Sequence, residues 1–141
     1  DFNYQVAQTI ADSTPEDYLL YGLGIGKPDE VAKLVKIGYN IFDCVLPTRD
    51  ARHQRLYVYT ADSIEKIDLD DTKFYHYFVP TKQKYYSDTS PVSTACDCIL
   101  CTNYTRSYLS HLFKIGDPTA KRLATIHNLR FYAILMEKLS S

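Results

Sequence analysis

The 141 residues contain no tryptophan, one methionine and only five glycines. That single methionine is Met136 and the chain opens on Asp1, so the expectation is a segment, a processed product or a trimmed form of a longer reading frame. No apolar stretch approaches the roughly 20 residues a helix needs to cross a bilayer, and no signal peptide stands at the start. The expected setting is therefore the cytoplasm, with no membrane partner. There is also no excess of either charge: 16 lysines and arginines face 17 aspartates and glutamates, a net charge of -1. A uniformly basic nucleic-acid binder is excluded. Any RNA contact must come from a local cluster, such as Arg49, Arg52 and Arg55. Internal repeats and low-complexity tracts are missing too.

Tyrosine is abundant, with 13 copies, and most of these flat amphipathic side chains are expected in cores and interfaces. An apolar share of 45% suits one globular core. Cys96, Cys98 and Cys101 crowd into one short stretch, too close together for an ordinary disulfide framework. Such crowding, with no secretion signal, points to metal binding in a reducing compartment.

Residues 18–26 (YLLYGLGIG) read as a buried strand running into a glycine-rich turn, as in a parallel sheet covered on both faces. Pro28 fits a first helical position, Asp29 and Glu30 suit the first turn, and Gly38 offers a C-terminal cap. A second apolar run, Ile41 to Leu46, is expected to be a strand stopped by Pro47. Strand, helix and strand make one βαβ unit. Leu56 to Thr60 and Lys73 to Val79 read as further strands, with a solvated acidic turn at Asp68 to Asp71 and loop at Pro80 and from Ser87 to Pro91. Asn103 to Ile115 reads as a helix ended by Gly116. Asp117-Pro118 caps another helical segment, with a break or restart at Asn128 before a final helix ending near Leu139.

The cysteines need a fourth partner to close a tetrahedral shell, and both His111 and His127 lie downstream. Spacing alone leaves that choice open. Four protein ligands would leave no position for water, so the metal is expected to be structural. Asp43 interrupts an apolar run. A carboxylate there is either held by a neighbouring turn or faces a ligand at a strand's carboxyl end. The glycines at 22, 24 and 26 imitate a dinucleotide-binding fingerprint, but position 27 is Lys27, where the third glycine should stand. For Cys44 the plain reading is a small buried strand residue.

Several segments resemble one family. Residues 21–28 (YGLGIGKP) look like its base-pocket segment, and residues 42–49 (FDCVLPTR), followed by Ala51-Arg52, are similar to its nucleophile motif. The cysteine cluster with residues 125–128 (TIHN) resembles its zinc motif. The family is the tRNA-guanine transglycosylases, and the likeness covers nearly the whole chain.

This resemblance implies an α/β fold, the C-terminal portion of a (β/α)8 TIM barrel with an inserted zinc-binding α+β subdomain. The implied divisions are 1–50 for the last βαβ unit, 51–93 for an insertion with short antiparallel strands, 94–128 for the zinc subdomain and 129–141 for a C-terminal helix. Asp43 matches the nucleophile, Leu23 and Gly24 line the base pocket, and Arg49 and Arg52 lie near bound RNA. Cys96, Cys98, Cys101 and His127 match the ligands of one structural Zn2+, which settles the fourth ligand as His127. The implied reaction replaces guanine at the wobble position of a tRNA with a GUN anticodon by a 7-deazaguanine, preQ1 or queuine, in queuosine biosynthesis. Residues 129–132 (LRFY) have bacterial-like wording and favour preQ1.

Family members commonly dimerise through the zinc subdomain, which would place Tyr104, Tyr108 and His111 in a homodimer interface. The stretch from Arg55 to Val92 is longer and richer in tyrosine than the family's usual link, and its Lys73, Lys82 and Lys84 are candidates for surface or RNA contact. His53-Gln54 stands where many members have a polar residue followed by glycine. The family's acid/base aspartate belongs to the first half of the barrel, so these residues alone are expected to be inactive. The alternative is a non-catalytic, zinc-stabilised tRNA-binding or dimerisation module.

Overall fold

The computed structural model describes residues 2–141. In chain order the elements are α1 (Tyr4–Ser13), β1 (Leu20–Gly22), α2 (Pro28–Ile37), β2 (Tyr39–Phe42), α3 (Leu46–Arg52), β3 (Leu56–Tyr59), β4 (Tyr75–Phe78), a 3-10 turn (Gln83–Tyr85), α4 (Ile99–Asn103), α5 (Arg106–Ile115) and α6 (Pro118–Leu139). The architecture is mixed α/β, with β1 and β2 in one parallel pair and β3 and β4 in one antiparallel pair.

The βαβ unit forms as expected. Pro28 opens α2, Asp29 and Glu30 sit in its first turn, and Gly38 closes it at φ 121°, a value a side chain would oppose. Three expectations fail around it. β2 ends at Phe42 rather than Leu46, and Pro47 lies in the first turn of α3 instead of stopping a strand. Proline has no N–H to donate, and first-turn positions need none, so Pro47 initiates a helix. Second, the run at 18–26 is not covered on both faces. Tyr18, Leu19, Tyr21 and Leu23 are all exposed, because β1 has β2 as its one neighbour. Third, Cys44 is half-buried and lies beyond the strand, not within it.

Helix α1 was not foreseen. It is capped by the Asn3 side chain, which accepts from Val6 N at 3.2 Å. The helix expected from Asn103 starts at Arg106 as α5 and ends at Gly116 as expected; Asn103 closes the separate, unforeseen α4, and Thr105 caps α5, its hydroxyl accepting from Tyr108 N.

Helix α6 runs unbroken through Asn128, so the anticipated break is absent and the division at 128/129 falls inside one helix. Asn128 does not interrupt the helix because its side chain serves distant backbone. Its Oδ1 accepts from Tyr57 N at 3.1 Å, and its Nδ2 donates to Pro47 O and Arg55 O at 3.0 Å each. Around these bonds the core closes. Phe131 stacks on Tyr59 with centroids 4.1 Å apart, and Tyr59 donates to Phe131 O at 2.9 Å. Every residue of β3 is buried, so the hairpin is part of the main core and not a surface decoration. Its far end reaches α2, where Tyr75 donates to Asp29 at 3.0 Å and Lys36 pairs with Asp70.

Gln54 is the one non-glycine residue with positive φ among the described residues, at 62°. Glycine would adopt that conformation freely; here Gln54 is held by Thr81, whose hydroxyl donates to its Oε1 at 2.9 Å. No described helix is long and apolar enough to cross a membrane.

Phe131 is 1% exposed and carries the aromatic stack. Phe131→Ala is expected to cost about 3–5 kcal/mol, read as a lower urea midpoint with an unchanged slope.

Candidate functional site

Asp43 follows the last residue of β2 and is exposed rather than buried. Local backbone explains its orientation. Gly24, at φ 69°, turns its N–H toward the strand end and donates to Asp43 Oδ1 at 2.8 Å. The Tyr21 hydroxyl stands beside the same carboxylate and favours its charged form. The Gly24 N–H, then the Tyr21 hydroxyl, hold the carboxyl below its ordinary range, and the same contact raises Tyr21. Asp43 is therefore an anion with a fixed direction. Gly26 is compact for a different reason: a Cβ there would overlap the Cys44 side chain.

Two clefts meet at Asp43. One, of about 360 Å³, is largely apolar and runs between Ile25, Phe42, Pro47 and Tyr132. The other, of about 330 Å³, is bounded by Gly24, Lys27, Glu30 and Arg49. Of the expected pocket residues, Gly24 touches Asp43 directly and Leu23 stands beside it, 74% exposed. Arg49 borders the second cleft, whereas Arg52 is exposed on α3 and lines neither.

The cysteines converge as their spacing suggested. Cys96 and Cys98 precede α4, Cys101 lies within it, and His127 reaches them from α6. His127 Nδ1 is 3.7, 3.5 and 3.3 Å from Sγ of Cys96, Cys98 and Cys101, and all four donor atoms lie within 4.8 Å of one another. A tetrahedral ion with thiolate and imidazole ligands sets S···N edges of about 3.5 Å. His127 Nε2 is 2.8 Å from Tyr57 O. A carbonyl only accepts, so Nε2 carries the proton and Nδ1 offers its lone pair to the sulfurs.

The charge balance also fits a cation. Hydrogen bonds from Cys101 and Cys96 lower Cys98, while the company of Cys96 and Cys98 raises Cys101. Burial disfavours a charged His127, but hydrogen bonds to Cys96 and Cys98 outweigh it and, with no ion among the sulfurs, take the ring to about 9; a cation held at Nδ1 would stand in place of that second proton. Three adjacent sulfurs become thiolates together only with a positive charge between them. Outside the shell, Arg130 makes a two-pronged contact with Asp97, Nε–Oδ1 at 2.6 Å and Nη2–Oδ2 at 3.1 Å, and ties the cysteine loop to α6. His111, the other histidine considered, is exposed on α5 and is not part of this group.

Four side chains hold the site in ways the sequence alone does not assign to them. Asp50 is buried at 5% exposure and accepts from the Tyr57 hydroxyl at 2.7 Å, with Arg49 and Arg55 at 3.5 and 3.8 Å. Burial and Asp50 push the Tyr57 hydroxyl well above its usual value. Asn128 is wholly buried, and Tyr132 donates to Gly26 O at 2.6 Å.

The profile of the family described as queuine tRNA-ribosyltransferase matches residues 2–140. The chain belongs to this family. Curated relatives that carry the same name include one from Haemophilus influenzae (strain PittEE), 40% identical over 136 residues, or 96% of this chain and 32% of the relative. A Mannheimia succiniciproducens relative is 44% identical over the same share of both chains. One from Pasteurella multocida is 39% identical, covering 96% of this chain and 31% of its own length. The chain thus spans about a third of the length of the curated relatives it matches.

Metal content separates the two histidines. His127→Ala is expected to lose most bound metal and lower the melting temperature by more than 10 °C, whereas His111→Ala retains one equivalent; metal analysis with thermal melts measures both.

Proposed function

We propose that these residues form the nucleophile-bearing, metal-stabilised part of a tRNA-guanine transglycosylase acting at the anticodon wobble position. The observation that carries this reading is Asp43: an exposed, ionised carboxylate aimed by Gly24 N–H at the meeting point of two clefts. A module without chemistry gains nothing from a carboxylate prepared in this way.

In this reading Asp43 attacks ribose C1′, its oxygen forming a bond to that carbon as the C1′–N9 bond to guanine breaks. A 7-deazaguanine, with preQ1 favoured over queuine, then attacks the same carbon and releases the carboxylate. Two inversions give net retention. The target base must leave its stack to expose C1′, which costs a few kcal/mol in general. Leu23 and Gly24 border the space for the base. Arg49 borders the cleft, and in this reading it and the exposed Arg52, which lies outside both clefts, hold phosphates of the RNA. The proton on leaving guanine needs a second acidic group, supplied in this reading from the rest of a (β/α)8 barrel. The same strands would cover Tyr18, Leu19, Tyr21 and Ile41, all exposed beside β1 and β2.

The metal is read as one structural Zn2+, held by Cys96, Cys98, Cys101 and His127, since three thiolates with one imidazole are its common closed set. It supplies no chemistry at C1′; its ligands tie α4 to α6. Tyr104 and Tyr108, stacked with centroids 5.2 Å apart and beside exposed His111, are the proposed homodimer patch.

Two outcomes test this. In a polypeptide of the relatives' full length carrying these residues, Asp43→Asn abolishes guanine exchange while metal content stays at one per chain. Because the Asp43 pKa is depressed in the folded protein, its active anion persists on acidification. The acid limb of kcat/KM, which reports the free enzyme, thus lies below the ordinary carboxylate range. The 141-residue chain by itself is expected to incorporate no labelled guanine into tRNA.

A further inference from the structure

Helix α6 carries two polar side chains one turn apart, Asn128 and Tyr132, whose reach extends far beyond the metal ligand next to them. Asn128 Nδ2 donates to Pro47 O at 3.0 Å, in the first turn of α3. Tyr132 Oη donates to Gly26 O at 2.6 Å, in the glycine turn after β1. Asp43 and Gly24 lie between these two anchor points, on the β2–α3 connection and on the glycine turn respectively, and meet through one bond of 2.8 Å. The β1–β2 pairing of Gly22 with Phe42 brings the two loops together at their strand ends, and α6 adds a hydrogen bond to each loop beyond that pairing.

We infer that Asn128 and Tyr132 are positioning residues that set the distance between the Asp43 carboxylate and the Gly24 N–H. The i, i+4 relation puts both side chains on one face of α6, so the helix acts as a rigid spacer. Tyr57 reinforces this on the metal side, its N–H held by Asn128 and its C=O by His127. Helix α6 therefore joins the metal site to the reacting carboxylate through consecutive residues. Asn128 is wholly buried; Tyr132 is partly so, its side chain lining the apolar cleft beside Asp43 while its hydroxyl is spent on Gly26 O. Their effect on the reaction would be exerted through loop geometry, where misplacement of about 1 Å can cost on the order of 100-fold in rate.

This inference rests on Asp43 acting as the nucleophile, so its test carries Asp43→Asn as a control. Tyr132→Phe removes one hydroxyl and preserves the ring; Asn128→Ala removes all three bonds. Both are made in a polypeptide of the relatives' full length. Expected for Tyr132→Phe is a fall in kcat of about 5-fold, and for Asn128→Ala about 100-fold, with KM for tRNA within 2-fold of the parent and one metal per chain. The distinguishing readout is pH. When the Gly24 bond to Asp43 lengthens, the acid limb of kcat/KM moves up toward the ordinary carboxylate range. The other groups bordering Asp43, namely Tyr21, Lys27, Glu30, Cys44 and Arg49, are unchanged in both variants. A role in folding alone would leave the limb in place in whatever fraction remained folded.

If Asn128→Ala fails to fold, Tyr132→Phe decides the matter. Parent-like kcat and an unmoved acid limb in Tyr132→Phe overturn the inference, as does a kcat loss matched by metal loss. If Asp43→Asn retains exchange, the nucleophile reading itself falls; if it is dead while Tyr132→Phe is parent-like, only the positioning role falls.

Discussion

Two neighbouring side chains of α6 take hold of a single residue of β3, and most of the molecule is arranged around that grip. Asn128 receives the Tyr57 N–H and His127 gives its Nε2 proton to the Tyr57 carbonyl. Both side chains are wholly or almost wholly buried, at 0% and 1% exposure. Leaving any of these polar groups without a partner would cost about 1–3 kcal/mol each. The grip also fixes the imidazole tautomer. A histidine free to turn could present either nitrogen to the sulfurs; the Tyr57 carbonyl leaves only Nδ1.

From that point the helix serves both chemistry and architecture. On one side, the metal ligand ties α6 to the cysteine loop, with Arg130 and Asp97 bridging the two outside the shell. On the other, the same helix packs on α3, whose first turn follows Asp43. The hydrophobic contribution comes from the aromatic layer of Tyr57, Tyr59, Phe74 and Phe131, which buries the hairpin face and lets few alternatives fit. A metal site with four protein ligands is well suited to this work, since it constrains segments far apart in sequence without needing a large core.

What could be read from the sequence was local. Three thiolates in one short stretch define a metal loop regardless of the rest of the fold, and the caps of α2 and α6 follow from Pro28, Gly38 and Asp117. Asp43 was recognised, but its reason was misjudged: the cost of burial was invoked for a side chain that is exposed and held by a glycine N–H. The cause was Pro47, taken as a strand terminator when it opens a helix. Asn128 was misread in a similar way. A polar residue in a helix looks like an interruption when its partners are invisible, and these partners lie 71 to 81 residues away in the chain. The choice between His111 and His127 likewise depended on tertiary placement, and here resemblance to a family supplied what spacing could not.

The order of elements along the chain has a consequence for biogenesis. Asp43 is synthesised before the hairpin, before the cysteine loop and well before α6. A nascent chain that has exposed the carboxylate but not yet α6 lacks the hydrogen bonds that this helix gives to the two loops beside it. Of the contacts around Asp43, the bonds from Asn128 to Pro47 and from Tyr132 to Gly26 are thus made last, and until α6 closes over β3 the two loops rest on the β1–β2 pairing and the Gly24 bond alone.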